Sequence, residues 1–240
     1  TANGTVVDHA GLWIGFSDFT NEHTIAHVAE DAQADTDTAG IVDTSRALIT
    51  LLNTDQSTDG TADATTITNG VRLTWADAPP AAYLITAVLF NSSAISGCTV
   101  GDIANSATEN NAVSVTGLAF QPDLILAFSR NNITGARTSF GMGLNDGSIV
   151  QRAGGQNSQS ASATSNVASA LFTTRLTINP LGATPASPEL TAFTSDGFTL
   201  TTRDGSSANT THYMAMKLAT GISAKLLTCA SPTATGAHSC

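Results

Sequence analysis

Two parts of the chain carry the same signals in the same order. Asn69-Gly70-Val71-Arg72-Leu73-Thr74-Trp75 corresponds to Asp196-Gly197-Phe198-Thr199-Leu200-Thr201-Thr202, each a turn dipeptide entering an alternating strand. Trp13-Ile14-Gly15-Phe16-Ser17-Asp18 corresponds to Gly141-Met142-Gly143-Leu144-Asn145-Asp146, and Ala47-Leu48-Ile49-Thr50 to Ala170-Leu171-Phe172-Thr173. Tyr83-Leu84-Ile85 corresponds to Tyr213-Met214-Ala215, and Cys98 to Cys229. The separation between partners drifts by only a few residues, as short insertions in surface loops would make it, because loops tolerate length changes that strands do not. Self-similarity on this scale implies that one folded unit occurs twice.

The unit reads as β. Only 12% of the 240 residues are charged, and the polarity comes instead from Thr, Ser, Asn and Gly, which suit strand faces and turns. With 41% hydrophobic residues grouped in short β-prone runs, most of the chain is expected to pack rather than stay disordered. Strands are expected at 12–16, 47–52, 71–75, 83–90, 114–115, 124–128, 139–144, 168–176, 190–193, 198–202 and 212–218. Turns are marked by Asp59-Gly60, Asn69-Gly70, Asp146-Gly147, Asp196-Gly197 and Asp204-Gly205, a loop is expected over 154–165, and 24–34 is the one stretch able to form a short helix. The expected fold is all-β: two tandem antiparallel β-sandwich domains, jelly-roll-like and related by internal duplication. Residues 1–99 form the first copy, 100–109 a linker, and 110–240 the second copy with a C-terminal extension.

The repeat also exposes a gap. The most hydrophobic strand candidate, Leu124-Ile125-Leu126-Ala127-Phe128 with its approach from Val115, has a first-copy counterpart that would lie before Thr1. The first copy is therefore expected to lack one central strand, and a sandwich without one leaves backbone groups unpaired. Residues outside the chain, the segment 219–240 or a neighbouring subunit would supply it. The opening segment has no initiating Met, basic region or apolar core of a signal peptide, so a processed product or a piece of something longer is expected.

Charge excludes one class of partner. Nine Lys plus Arg against nineteen Asp plus Glu give a net charge of −10, which lacks the basic footprint that a phosphate backbone requires, so nucleic acid is not an expected partner. No apolar run reaches the length of a membrane-spanning helix, and no membrane insertion is expected. Three cysteines, Cys98, Cys229 and Cys240, are too few and too odd in number for a disulfide framework.

Few residues suggest chemistry. Glu22-His23-Thr24-Ile25-Ala26-His27 sets two imidazoles four apart, a spacing that puts both on one face of a helix, but the Glu is misplaced for the zinc-protease pattern and a solvated element is the preferred reading. Asp31, Asp35 and Asp37, with Asp43, form an acidic patch able to take calcium, although it lacks the glycine and terminal Glu of an EF-hand loop. Gly15-Phe16-Ser17-Asp18 lacks the second glycine of a nucleophile elbow. Glu22, Glu30, Glu109 and Glu189 are expected in loops, without the convergence of a glycosidase pair. Trp75, and after it Trp13, are the candidate ligand contacts through which a sugar could stack. No catalytic residue and no cofactor is expected.

Gly117-Leu118-Ala119-Phe120-Gln121-Pro122-Asp123-Leu124-Ile125-Leu126, followed by Ser139-Phe140-Gly141-Met142-Gly143 and Asp196-Gly197-Phe198-Thr199-Leu200, resembles a repeated β-domain of tailed-bacteriophage structural proteins. That pattern looks like a G-x-G-F-x-P-D strand, a small-residue S-F-G strand, a Gln-containing turn and a late D-G-F-T-L strand. Here Ala119 replaces the usual glycine, and Gln151 fits the turn. The second copy carries the whole pattern and the first copy only parts of it. The resemblance implies a non-enzymatic virion-surface protein, a tail fibre, tail-tip component or capsid decoration. Its implied partners are copies of itself, other virion proteins and a host surface glycan, and its implied location is the particle surface or the extracellular space. A secreted carbohydrate-binding module or adhesin is the alternative, and a polysaccharide-degrading enzyme a weaker one.

Overall fold

A computed structural model describes residues 9–30, 37–51, 57–80, 82–131, 136–158, 167–178, 187–204 and 209–227. Every regular element among them is a strand. The strands are β1 (His9–Ser17), β2 (Glu22–Glu30), β3 (Asp37–Asp43), β4 (Leu48–Leu51), β5 (Thr58–Ile67), β6 (Gly70–Asp77), β7 (Ile95–Ala104) and β8 (Ala112–Val115). They continue as β9 (Leu124–Asn131), β10 (Ala136–Asn145), β11 (Ile149–Ser158), β12 (Val167–Phe172), β13 (Pro188–Thr194), β14 (Gly197–Thr202) and β15 (Thr210–Leu218). Four antiparallel sheets result, ordered β4-β5-β6, β1-β2-β3, β12-β11-β10-β9-β15-β7 and β13-β14-β8.

The sheets stack in that order around three apolar cores. Strand alternation sends Leu124, Leu126 and Phe128 of β9 to one face of the six-stranded sheet and Ile125 and Ala127 to the other. In β15, Met214 and Met216 go with the first set, Tyr213 and Ala215 with the second. The second set meets Leu190, Phe198 and Leu200 of the β13-β14-β8 sheet. The first meets Phe16 of β1 and Ile25 of β2, with Phe16 and Phe128 rings 4.9 Å apart. On the far side of β2, Ala26 and Val28 pack on Ile49 and Leu51 of β4. Each fully buried side chain of this size contributes about 1.5–3 kcal/mol. Both inner sheets are covered on both faces, which is why β9 reads as an unbroken apolar run.

The structure departs from expectation at five places. The 24–34 stretch is no helix: its described residues lie on β2, and Glu22, Glu30 and Glu189 lie on strands too. Residues 100–104, expected in a linker, are the second half of β7, which pairs with β15. Residues 149–158 are strand β11, so 154–158 of the expected loop are strand, and 159–165 lie outside the described residues. Gln151 is therefore on a strand rather than a turn, and its buried amide accepts from Leu190 N–H at 2.9 Å and donates to Leu190 C=O at 3.1 Å. Those two bonds serve backbone groups beside the irregularity where β13 slips register. Residues 83–90, expected as a strand, run without a ladder partner among the described residues.

Candidate functional site

An apolar cleft of about 700 Å³ opens beside β1. Trp13, Gly15 and Phe16 of β1 line it, as do Leu124, Phe140 and Met214 of the six-stranded sheet and residues 83–90. β1 is the outer strand of its sheet, so one of its edges has no pairing among the described residues. The six-stranded sheet shows what such an edge accommodates. There β10 pairs with β9, and β9 in turn pairs with β15. The cleft lies between the open edge of β1 and residues 83–90.

The segment itself is anchored at one end and bare along the rest. Tyr83 donates its hydroxyl to the buried Asp59 carboxylate at 2.7 Å and packs against Trp13 with ring centroids 5.2 Å apart. Burial, followed by that hydrogen bond, pushes the Tyr83 pKa up to about 12. Beyond it, Leu84, Val88 and Leu89 are 86%, 75% and 59% exposed, an unusual concentration of bare aliphatic surface on one segment. Trp13 Nε1 is buried and has no acceptor among the described residues.

The two tryptophans are not brought together. Trp13 enters the cleft, whereas Trp75 sits half-buried on β6 opposite Ala62 and does not line it. Asp31 and Asp35 lie outside the described residues, and Asp37 opens β3 opposite Glu30. Asp43 accepts from Ser45 N–H and Oγ–H at 2.6 and 2.7 Å, closing the turn after β3.

His23 and His27 do share a face, but a strand face: with Ile25 they look towards the six-stranded sheet. His23 Nδ1 stands 3.0 Å from Nδ1 of His212 on β15, and its Nε2 3.9 Å from the carboxylate of Asp102 on β7, which is the cross-strand partner of His212. Phe128 stacks on the His212 ring at 5.2 Å. Burial, then the neighbouring His23, drives the His212 pKa down to about 4, against the pull of Asp102. Burial lowers that of His23 too, against Asp102, Asp18 and Asp43. His27 takes no part in this cluster and instead lies near Arg130, which adds to burial in lowering its pKa. Sequence reading missed His212 because nothing local marks it: it stands 189 residues from His23.

No family model, curated protein or solved structure matches the chain. Among the described residues no helix is long and apolar enough to cross a membrane.

Proposed function

We propose that the chain is a non-enzymatic structural protein of a virion surface that assembles with copies of itself by strand complementation. The observation that carries this reading is the apolar cleft at the open edge of β1, flanked by an extended segment bearing exposed Leu84, Val88 and Leu89. An exposed edge beside an apolar groove is the geometry in which an added strand gains main-chain hydrogen bonds and side-chain burial together. The chain carries a matching key for this lock in 83–90. Two copies related by a two-fold axis would pair these segments antiparallel, each lying against β1 of the other, which closes the interface without open-ended growth.

The residues that carry the bacteriophage resemblance support a structural role, because each serves the backbone. Asp123 accepts from Lys217 Nζ at 2.8 Å and from Leu218 N–H at 2.9 Å, fastening the end of β15. Asp196 accepts from Gly117 N–H through its side chain and from Leu118 N–H through its carbonyl. Gly117 and Ala119 both take left-handed backbone conformations, with φ of 81° and 60°, which accounts for the glycines of the pattern.

Light scattering on the eluting protein tests the assembly. A stable multimer is expected, converted to monomer by Leu84→Lys with Val88→Lys while far-ultraviolet circular dichroism stays unchanged. A wild-type monomer at tens of micromolar would overturn it. For the virion assignment, mass spectrometry of purified particles from the source should find the chain at structural copy number, and particles without it would remove that assignment.

A further inference from the structure

We propose that His23, His212 and Asp102 bind one divalent transition-metal ion, with Zn²⁺ the best match to the donor set. This site is independent of the assembly cleft. The three residues each offer a ligand atom, and these atoms lie within 4.8 Å of one another. Two imidazole nitrogens and one carboxylate oxygen are the donors that borderline ions such as Zn²⁺ take, and three protein ligands leave a further position for water.

The spacing of the imidazoles fits. Nitrogens bound about 2.0–2.1 Å from one ion stand roughly 2.9–3.4 Å apart for angles between square and tetrahedral, and the two Nδ1 atoms are 3.0 Å apart. The surroundings favour a cation, since the charges acting on His23 are all carboxylates: Asp102, Asp18 and Asp43. The stacked Phe128 ring holds the orientation of His212, and the half-exposed Asp102 carboxylate, 3.9 Å from His23 Nε2, turns by side-chain rotation to meet an ion held by the two Nδ1 atoms. Access is through Asp102, whose side chain is 47% exposed while that of His23 is only 6% exposed. The ion would tie β2 to β7 and β15.

A rival account exists for the same distance: one neutral imidazole donates Nδ1–H to the other, and no ion is needed. Metal titration separates the two. The chelator-treated full chain is titrated with Zn²⁺ by calorimetry and with Co²⁺ by visible absorption, and its Tm is followed. One equivalent is expected to bind, with a Co²⁺ ligand-field band and a Tm raised by several degrees. Asp102→Asn, at a half-exposed position and with its fold checked by far-ultraviolet circular dichroism, should weaken binding by about tenfold or more. His23→Gln should abolish the band, and His27→Gln, outside the cluster, should leave it intact. No band and no Tm shift at millimolar metal would overturn the site in favour of the hydrogen bond. So would a band of unchanged affinity in Asp102→Asn, and this variant decides the matter even if His23→Gln fails to fold.

Discussion

Gly15 and Gly141 each lie against the carbonyl of a crossing strand or turn in the same way. A β-carbon on Gly15 would stand 1.7 Å from the carbonyl oxygen of Ala47, and one on Gly141 would stand 1.8 Å from that of Leu176. The next link matches as well, since Ala47 N–H donates to Ala62 C=O at 3.0 Å and Leu176 N–H to Pro188 C=O at 2.9 Å. At both positions a strand thus passes so close to a crossing backbone that only glycine fits. The two glycines share this arrangement although the sequence correspondence pairs Gly15 with Gly143 and Ala47 with Ala170.

Either glycine replaced by Ala should therefore cost stability, by about 1–3 kcal/mol or more, because the obstacle is backbone and cannot swing aside. Gly154→Ala is the control, its nearest neighbour being Leu171 Cδ1 at an ordinary 3.8 Å. Urea midpoints of the three variants check this, and equal midpoints would sink it.

At the start of the β9 approach the backbone asks for glycine twice and receives it once. Ala119→Gly should stabilise by about 0.5–1 kcal/mol by relieving a left-handed alanine, and Gly117→Ala should destabilise by about 1 kcal/mol. A β-carbon at 117 meets nothing within 4 Å, so its cost is conformational alone. Thermal melts giving both changes the same sign would contradict the reading.

Tyr83→Phe leaves the buried Asp59 carboxylate without its hydroxyl donor, at an expected cost of about 1–3 kcal/mol. The same variant should remove a phenol that titrates at about 12 from the ultraviolet absorption curve.

Acid should weaken the fold partly through His27. Its folded pKa lies below the ordinary 6.5, held down by burial and then by Arg130, so the unfolded chain takes up the proton first as pH falls. The contribution is intact above 6.5 and is lost as pH falls towards the folded value, with a limiting slope of about 1.4 kcal/mol per pH unit. Denaturant midpoints between pH 7.5 and 5, in chelator, should fall less steeply in His27→Gln than in wild type, and parallel curves would refute the assignment.

How much of this was readable in the chain depended on whether the cause was local. β6, β9, β10, β14 and β15 announce themselves by apolar alternation or by a turn dipeptide. β2 did not, because Ile25 faces one core while Ala26 and Val28 face another, so alternation is erased and histidine spacing suggests a helix instead. β11 is rich in Gly and Gln and holds its place through neighbours on both sides, β10 and β12. The 83–90 segment fails in the opposite sense: it has strand propensity but no ladder partner among the described residues, and a strand is a relation between two segments. The cleft and the histidine pair arise from residues far apart in the chain, and their geometry is set by the stacking of sheets, which no local pattern encodes.

The seating of β7 has a consequence for the order of events at the ribosome. Within the described chain its pairing is with β15 alone, and Asn105 just beyond it bonds Thr211, 106 residues later. At about 5–20 residues per second, the ribosome needs several seconds to deliver that mate. For that interval the nascent protein must carry Ile95–Ala104 unpaired, so slow codons or a holding chaperone acting between these two strands would govern the yield of correctly closed molecules.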